Sequence, residues 1–392
     1  MTEAQLRQCR ADTPGTQDRI HLNNAGSSLP PESVLRTVTD YLEAEARTGG
    51  YELMAARQAE TAQTYASIAA LIGAQPDEIA FVKSASDAWY QAFYALNLQP
   101  GDIVLTTQTE YIANYFGLLR AVKHQGIEIQ LVPLDADGLI SLPDLERMAA
   151  APRVRLIALT HVPTSSGLIQ PAAAVGALAR QAGVPYLLDA CQSVGQLALD
   201  AAALGCDLLA ATGRKFLRGP RGTGFLYVRS GFLDQVEPPF PDGWSAEWDG
   251  LAGYAWRSGA RRFEQFEYSR ALQLGLGAAA DYALGLGMAQ IEARVLALAA
   301  RLRAQLGSLP EIRLQDPGRE RCGIVTLTHA RVSAPELMAR LGSRSIQTSV
   351  ASHMNARLDL ETRSLDSVLR VSVHYYNTEA ELDRLCEALE DL

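Results

Sequence analysis

The sequence predicts an α/β protein with a mostly parallel seven-stranded sheet, helices on both of its faces, and a smaller α+β unit after it. Three observations predict this. From about residue 78, short and nearly continuous apolar runs alternate with segments of helical period, the pattern of strands buried on both faces. After about residue 265 the rhythm changes to two long helical runs followed by a few strands. A chain of 392 residues that is 48% hydrophobic can bury a sizeable core and has the length of two domains.

The elements follow in order. Residues 1–19 are polar and read as an arm packing with the small domain. They contain no apolar run of the kind a secretion signal needs. Residues 31–47 read as a helix, with Pro31 at its start and Val34, Val38 and Leu42 on one face. Strands are expected at 78–82, 102–107, 127–134, 155–162, 186–190, 207–212 and 222–229. Helices are expected from Asp87, from Ile112 and over 172–183. The long runs that begin at Ala271 and Ile291 read as helices. Strands at 323–329, 345–350 and 368–376 and a last helix at 379–391 complete the chain. The resulting division is an arm (1–19), a large domain (20–265) and a small domain (266–392).

Composition removes several function classes. Acidic residues outnumber basic ones 44 to 35, for a net charge of −9, which argues against a nucleic-acid partner. Cys9, Cys191, Cys206, Cys322 and Cys386 are scattered and form no CxxC pair. Neither a disulfide framework nor a metal cluster is expected, and a reducing cytoplasm fits. No stretch approaches the ~20 apolar residues of a membrane span.

Chemistry concentrates at Ala211–Phe225, where Lys215 stands among small residues and glycines between two expected strands. Arginine carries nearly all the positive charge of this chain, and Lys83 and Lys123 are the other lysines. A Schiff-base amine must shed its proton, which lysine can do and arginine cannot. Thr212, Arg214 and the glycine amides can hold a phosphate nearby. Upstream, Asp189 ends the run Tyr186–Ala190, at the strand end where α/β ligands bind. A carboxylate beside a pyridine nitrogen keeps that nitrogen protonated, so the ring of pyridoxal 5'-phosphate (PLP) acts as an electron sink. Ser84 and Ser86 open a helix after the first expected strand and offer a second phosphate cradle. Tyr111 can stack on the ring, and Thr164 lies within reach after another strand. His161 reads as a structural histidine.

The chain resembles the class V aminotransferase family, the cysteine-desulfurase-like branch of the fold type I PLP enzymes, whose fold is that of aspartate aminotransferase. The resemblance spans nearly the whole chain and rests on LNNAGSS (22–28), SASDA, EYIAN, HVPTSSG, DACQSVGQ, TGRKFLRGPRGTGFLYV, RFEQFE (262–267) and RVSVHYYNT (370–378). It implies that Lys215 carries PLP and acts as the α-proton base, Asp189 pairs with the ring nitrogen and Gln192 sits near the phenolic oxygen. Tyr111 would cover one ring face. Thr212, Arg214, Ser86 and the Ala85 amide would bind phosphate. Arg370 would clamp the substrate carboxylate, and Asn24, Ala25 and Gly26 would line the pocket. It also implies a homodimer with active sites near the interface.

Departures from the family shape the expected reaction. Desulfurases of the family place a histidine where this chain has Tyr111 and an asparagine where it has Thr164. They also carry a mobile cysteine between the last strands of the small domain, whereas residues 342–370 here contain none. Their inter-subunit phosphate contact appears replaced around Phe266 and Glu267. The chain is therefore expected not to be a persulfide-forming cysteine desulfurase. Tyr111 and the Lys215 segment are most similar to the carbon–sulfur lyase of ergothioneine biosynthesis and to the isopenicillin-N-epimerase-like group. The first reading is a carbon–sulfur β-lyase on a cysteine conjugate or its sulfoxide, acting through an external aldimine and a Cα carbanion. An aminotransferase and an epimerase are the alternatives, with His353 or Tyr111 as candidate proton donor.

Overall fold

The computed structural model describes residues 1–391. All seven expected strands of the first sheet are present: β1 (Ile79–Val82), β2 (Ile103–Thr106), β3 (Glu128–Leu131), β4 (Val154–Thr160), β5 (Tyr186–Asp189), β6 (Leu208–Thr212) and β7 (Gly224–Val228). Their order is β1-β7-β6-β5-β4-β2-β3. Only β7 runs against its neighbours. The segments that leave β1, β2, β4, β5 and β6 therefore emerge at one edge of the sheet, where ligands of open α/β sheets bind.

Both faces of the sheet are buried. Phe81, Leu105, Leu159, Leu188, Leu209 and Phe225 pack on one side. Their sequence neighbours Val82, Val104, Ala158, Leu187, Ala210 and Leu226 pack on the other, against Trp89 and Phe93 of the helix Ala85–Tyr94 (α1). This two-sided burial is why the strands read as continuous apolar runs rather than as alternating ones.

A second sheet of four antiparallel strands follows, in the order 312–314, 324–329, 367–372, 349–352. It covers the strands expected near the end of the chain. The segment expected as one strand over 345–350 is instead two short pieces, Ile346–Gln347 and Ser349–Ser352. The first pairs in parallel with Ile20–His21, which ties the N-terminal segment to this part of the fold.

The N-terminal stretch expected as a polar arm forms a helix at Glu3–Ala11, started by a capping box between Thr2 and Gln5. Arg10 of this helix pairs with Glu381. The helix Glu32–Thr48 buries Val34 and Tyr41, and Val38 packs with them, while Leu42 is half exposed. The apolar stripe thus turns through Tyr41 rather than Leu42, because its partners lie on the helix Arg270–Leu286 at Ala271 and Leu274. Among the described residues no single helix is long and apolar enough to cross a membrane.

Candidate active site

The strand ends build a cavity that is lined by Ser84, Ala85, Ser86, Tyr111, Thr164, Asp189, Gln192, Thr212, Arg214 and Lys215. Ten residues expected for the cofactor from five separate segments thus meet in one place. Asn114, Thr160, Val162 and Cys191 also line it, and the sequence reading had assigned none of them a role.

Local structure explains the positions. Ser84 caps α1 by accepting a hydrogen bond from the Asp87 amide, so Ala85 and Ser86 form the first turn with free N–H groups facing the cavity edge. The helix begins at Ala85, two residues before the expected start, because this cap sits at Ser84. A side chain at Gly224 would place its Cβ 2.8 Å from the Ser84 carbonyl carbon, so glycine on β7 permits the close approach of this turn. Gly195 does the same for the lysine loop. Its φ is +92°, and a Cβ there would sit 2.3 Å from the Phe216 carbonyl carbon and the Leu217 nitrogen.

The loop carrying Lys215 is held at its far end by Arg218, whose φ of 64° is costly for a residue other than glycine. The buried Arg218 guanidinium offsets that cost. It donates to Leu29 O, Tyr375 Oη and Thr13 Oγ1 and lies over the Tyr376 ring at 4.7 Å. The Arg218 amide donates back to Lys215 O.

Lys215 is buried, with Nζ 5.9 Å from the Tyr111 ring centroid. Burial holds its pKa below the usual lysine value. The charges of Arg214 and Arg370 act in the same direction, and Cys191 and Asp189 oppose them. Asp189 accepts from the Cys191 amide at Oδ1 (2.8 Å) and from Asn114 Nδ2 at Oδ2 (2.7 Å). Burial raises its carboxyl above the usual range despite those bonds.

The residues fit PLP on these observations. Lys215 is poised to shed its proton. Asp189 is a carboxyl whose charge is penalised by burial and so suits a cation placed against it, as a protonated ring nitrogen is. Gln192 Oε1 is buried without a partner, the mark of a polar position completed by a ligand.

Arg370 lies beside this cavity. Its Nε donates to Ser349 Oγ at 3.0 Å and its Nη1 to Thr164 Oγ1 and O. Among the described residues no carboxylate pairs with it. Burial pushes its pKa down to about 10, with the Arg214 charge contributing. A buried guanidinium without an acid partner suits an anionic ligand. The Thr164 hydroxyl is engaged by this arginine.

Other expected pocket residues are placed differently. Asn24 is wholly buried and binds Ser372 O and the Tyr376 hydroxyl, so its side chain is committed to structure. The Ala25 carbonyl accepts from Gln192, and the Gly26 carbonyl accepts from Arg214. Both backbones therefore abut cavity residues. His353 begins the helix His353–Thr362, bonds the Leu365 carbonyl, and does not line the cavity. His161 is buried and paired with Ser193. Phe266 and Glu267 are exposed, and the Phe266 amide bonds Asp242. Within the same motif Glu264 is buried and holds Tyr65, Trp244 and the β1 amide of Phe81.

Comparison with known proteins bears on the reaction. A probable cysteine desulfurase of Methanothermobacter thermautotrophicus is 28% identical over 390 residues, covering 98% of this chain and 97% of the relative. A cysteine desulfurase of Serratia proteamaculans is 30% identical over 383 residues, covering 95% and 93%. The solved apo structure of a cysteine desulfurase from Thermococcus onnurineus NA1 superposes with a TM-score of 0.92 at 26% identity, over 98% and 97% of the two chains. The expectation that the chain is not a cysteine desulfurase is overturned by these relatives. It rested on the missing cysteine of residues 342–370, and so presumed that the sulfur acceptor had to come from that one segment. The ranking of conjugate lyase, aminotransferase and epimerase, drawn from Tyr111 and the Lys215 segment, is met by these relatives only at the coarser level of a PLP enzyme of this family. The aminotransferase class-V family matches residues 20–385, and the chain belongs to this family of PLP enzymes.

Proposed function

We propose that the protein uses PLP to take the sulfur from L-cysteine and leave alanine, the desulfuration that the names of its relatives describe. The observation that carries this reading is the meeting of Lys215, Asp189 and Tyr111 in one cavity beside Arg370, a buried cation without an acid partner. Bound PLP supplies an electron sink for the substrate's Cα.

The chain's own residues do the rest. Lys215 would anchor the cofactor and hold the proton taken from the substrate's Cα. Asp189 would pair with the ring nitrogen, Tyr111 would cover a ring face and Gln192 would sit near the phenolic oxygen. The Ala85 amide, Ser86, Thr212 and Arg214 hold the phosphate. Arg370 holds the substrate carboxylate, with Thr164 and Ser349 fixing its fork and the Ala25–Gly26 backbone forming the adjacent wall. Orientation of this kind is worth several orders of magnitude in rate. The five cysteines are free, in keeping with a cytoplasmic enzyme, and a homodimer is part of this reading.

The test is product analysis. PLP-loaded protein given L-cysteine and a reducing thiol is expected to form alanine and sulfide in equal amounts. Pyruvate and ammonia in place of alanine would overturn the proposal.

A further inference from the structure

Glu110 is the one buried carboxyl at the cavity edge that the roles above leave unused. It lies just after β2 and immediately before Tyr111, the N-cap residue of the helix Ile112–Gln125 (α2). Its Oε1 accepts from the Tyr111 amide at 2.9 Å, from Asn114 Nδ2 at 2.8 Å and from the Thr160 hydroxyl. Its Oε2 lies 3.1 Å from Thr106 Oγ1. Asn114 Nδ2 also donates to Asp189 Oδ2 at 2.7 Å.

We infer that Glu110 is a positioning residue that, as a neutral carboxyl, fixes both the ring-nitrogen contact and the ring cover of the cofactor, through Asn114 and the Tyr111 amide. The inference rests on the assignment of Asp189 to the ring nitrogen. An amide nitrogen has two hydrogens, and those of Asn114 are both spent on carboxyl oxygens. Turned over, the amide would set its own oxygen against both carboxyl groups. Glu110 thereby fixes Asn114, and Asn114 fixes the outer oxygen of Asp189.

The same Glu110 oxygen holds the backbone of Tyr111. One carboxyl thus sets a face contact and an edge contact of the same ring. Oε1 is saturated by three donors, so a proton on Glu110 resides on Oε2 and is donated to Thr106. Two neighbouring buried carboxyl groups do not both keep a charge, and Asp189 is the one that faces the cofactor. Burial and the Asp189 charge both raise the Glu110 carboxyl above its usual range. Glutamine at this position reproduces every bond: its oxygen accepts three and its amide donates to Thr106.

The experiment compares PLP-loaded wild type, Glu110→Ala, Glu110→Gln, Asn114→Ala and Asp189→Ala by pH titration of the visible band of the lysine-linked cofactor, and by PLP affinity. Asp189→Ala is expected to move the midpoint upward, because loss of the ring proton removes a positive charge conjugated with the lysine linkage. Glu110→Ala and Asn114→Ala are expected to move it in the same direction by about one unit, and to weaken PLP binding about tenfold. Glu110→Gln is expected to titrate as wild type.

A Glu110→Ala protein that is less stable but titrates as wild type, while Asp189→Ala shifts, overturns the inference alone. Should Glu110→Ala not fold, a wild-type titration of Asn114→Ala does the same. A shift of Glu110→Gln equal to that of Asp189→Ala overturns the neutral carboxyl. A wild-type titration of Asp189→Ala overturns the underlying assignment and the inference with it.

Discussion

At one end of the cavity two carboxyl groups, Glu110 and Asp189, are buried on either side of a single asparagine. At the other end two guanidinium groups, Arg214 and Arg370, stand near Lys215 and bond only neutral oxygens. The acidic end is complete, since each carboxyl oxygen has a hydrogen-bond partner within the protein. The cationic end is incomplete, since among the described residues no carboxylate pairs with Arg214 or Arg370. A buried charge that lacks a partner costs several kcal/mol, so the cationic end gains most from an incoming anion. The acidic end sets the electronic state of whatever lies against it. On the proposed reading the acidic end would tune the cofactor ring, and the cationic end would take two anions, the cofactor's phosphate at Arg214 and the substrate's carboxylate at Arg370.

Four changes break or sharpen that contrast, in decreasing size of effect. Lys215→Ala, between the two ends, should remove the visible cofactor band and lower turnover by about 10³-fold or more, as read by absorbance and steady-state assay. Arg370→Ala should lower kcat/KM by about 10²- to 10³-fold, mainly through KM, because charge-assisted bonds are lost from bound and reacting substrate alike. Arg370→Lys should recover only part, for want of the planar fork. Removing the Arg370 charge also raises the Lys215 pKa, so the acid limb of the cofactor-loading rate should move to higher pH. An acid limb that stays in place would place Arg370 too far away to act on Lys215.

The third change probes acid stability. Burial lowers His161 to about 4 from an ordinary value of 6.5. The unfolded chain therefore takes up a proton in that window while the folded protein does not. Stability should fall as the pH drops from 6.5 to about 4, by up to about 3 kcal/mol, and level off below. His161→Gln should flatten that fall in denaturant melts. The smallest effect belongs to Thr164→Val, which removes one hydroxyl from Arg370. It should raise KM about three- to tenfold and leave the cofactor spectrum unchanged.

Legibility followed the range of the interaction. Strands buried on both faces announce themselves as apolar runs, and all seven were found within one or two residues except β3, whose expected end overran by three. Lys215, Asp189 and Gln192 were legible because a lysine in a glycine-rich turn and a carboxylate ending an apolar strand are local patterns. The stripe on Glu32–Thr48 was misjudged at Leu42 because Tyr41 and Leu42 flank Val38 on the wheel, three and four residues on, and only the facing helix decides between them. Glu110 and Asn114 stood in view as an i, i+4 pair after β2. What hid their role is that Asp189, the second partner of Asn114, lies 75 positions away. His353 was a candidate proton donor from its place in the segment that replaces the family's cysteine loop, yet its ring turns to the Leu365 carbonyl.

The sequence by itself determined the parallel sheet and singled out Lys215 and Asp189, which the fold brings into one cavity. Each is a property of residues within a few positions of one another, where periodicity and residue chemistry act directly. Only the tertiary structure decided that Arg370 is left without an acid, that Cys191 lines the cavity and that Glu110 reaches Asp189 through Asn114. Those facts depend on which strand ends lie side by side, and that order is set by the packing of both faces of the sheet at once.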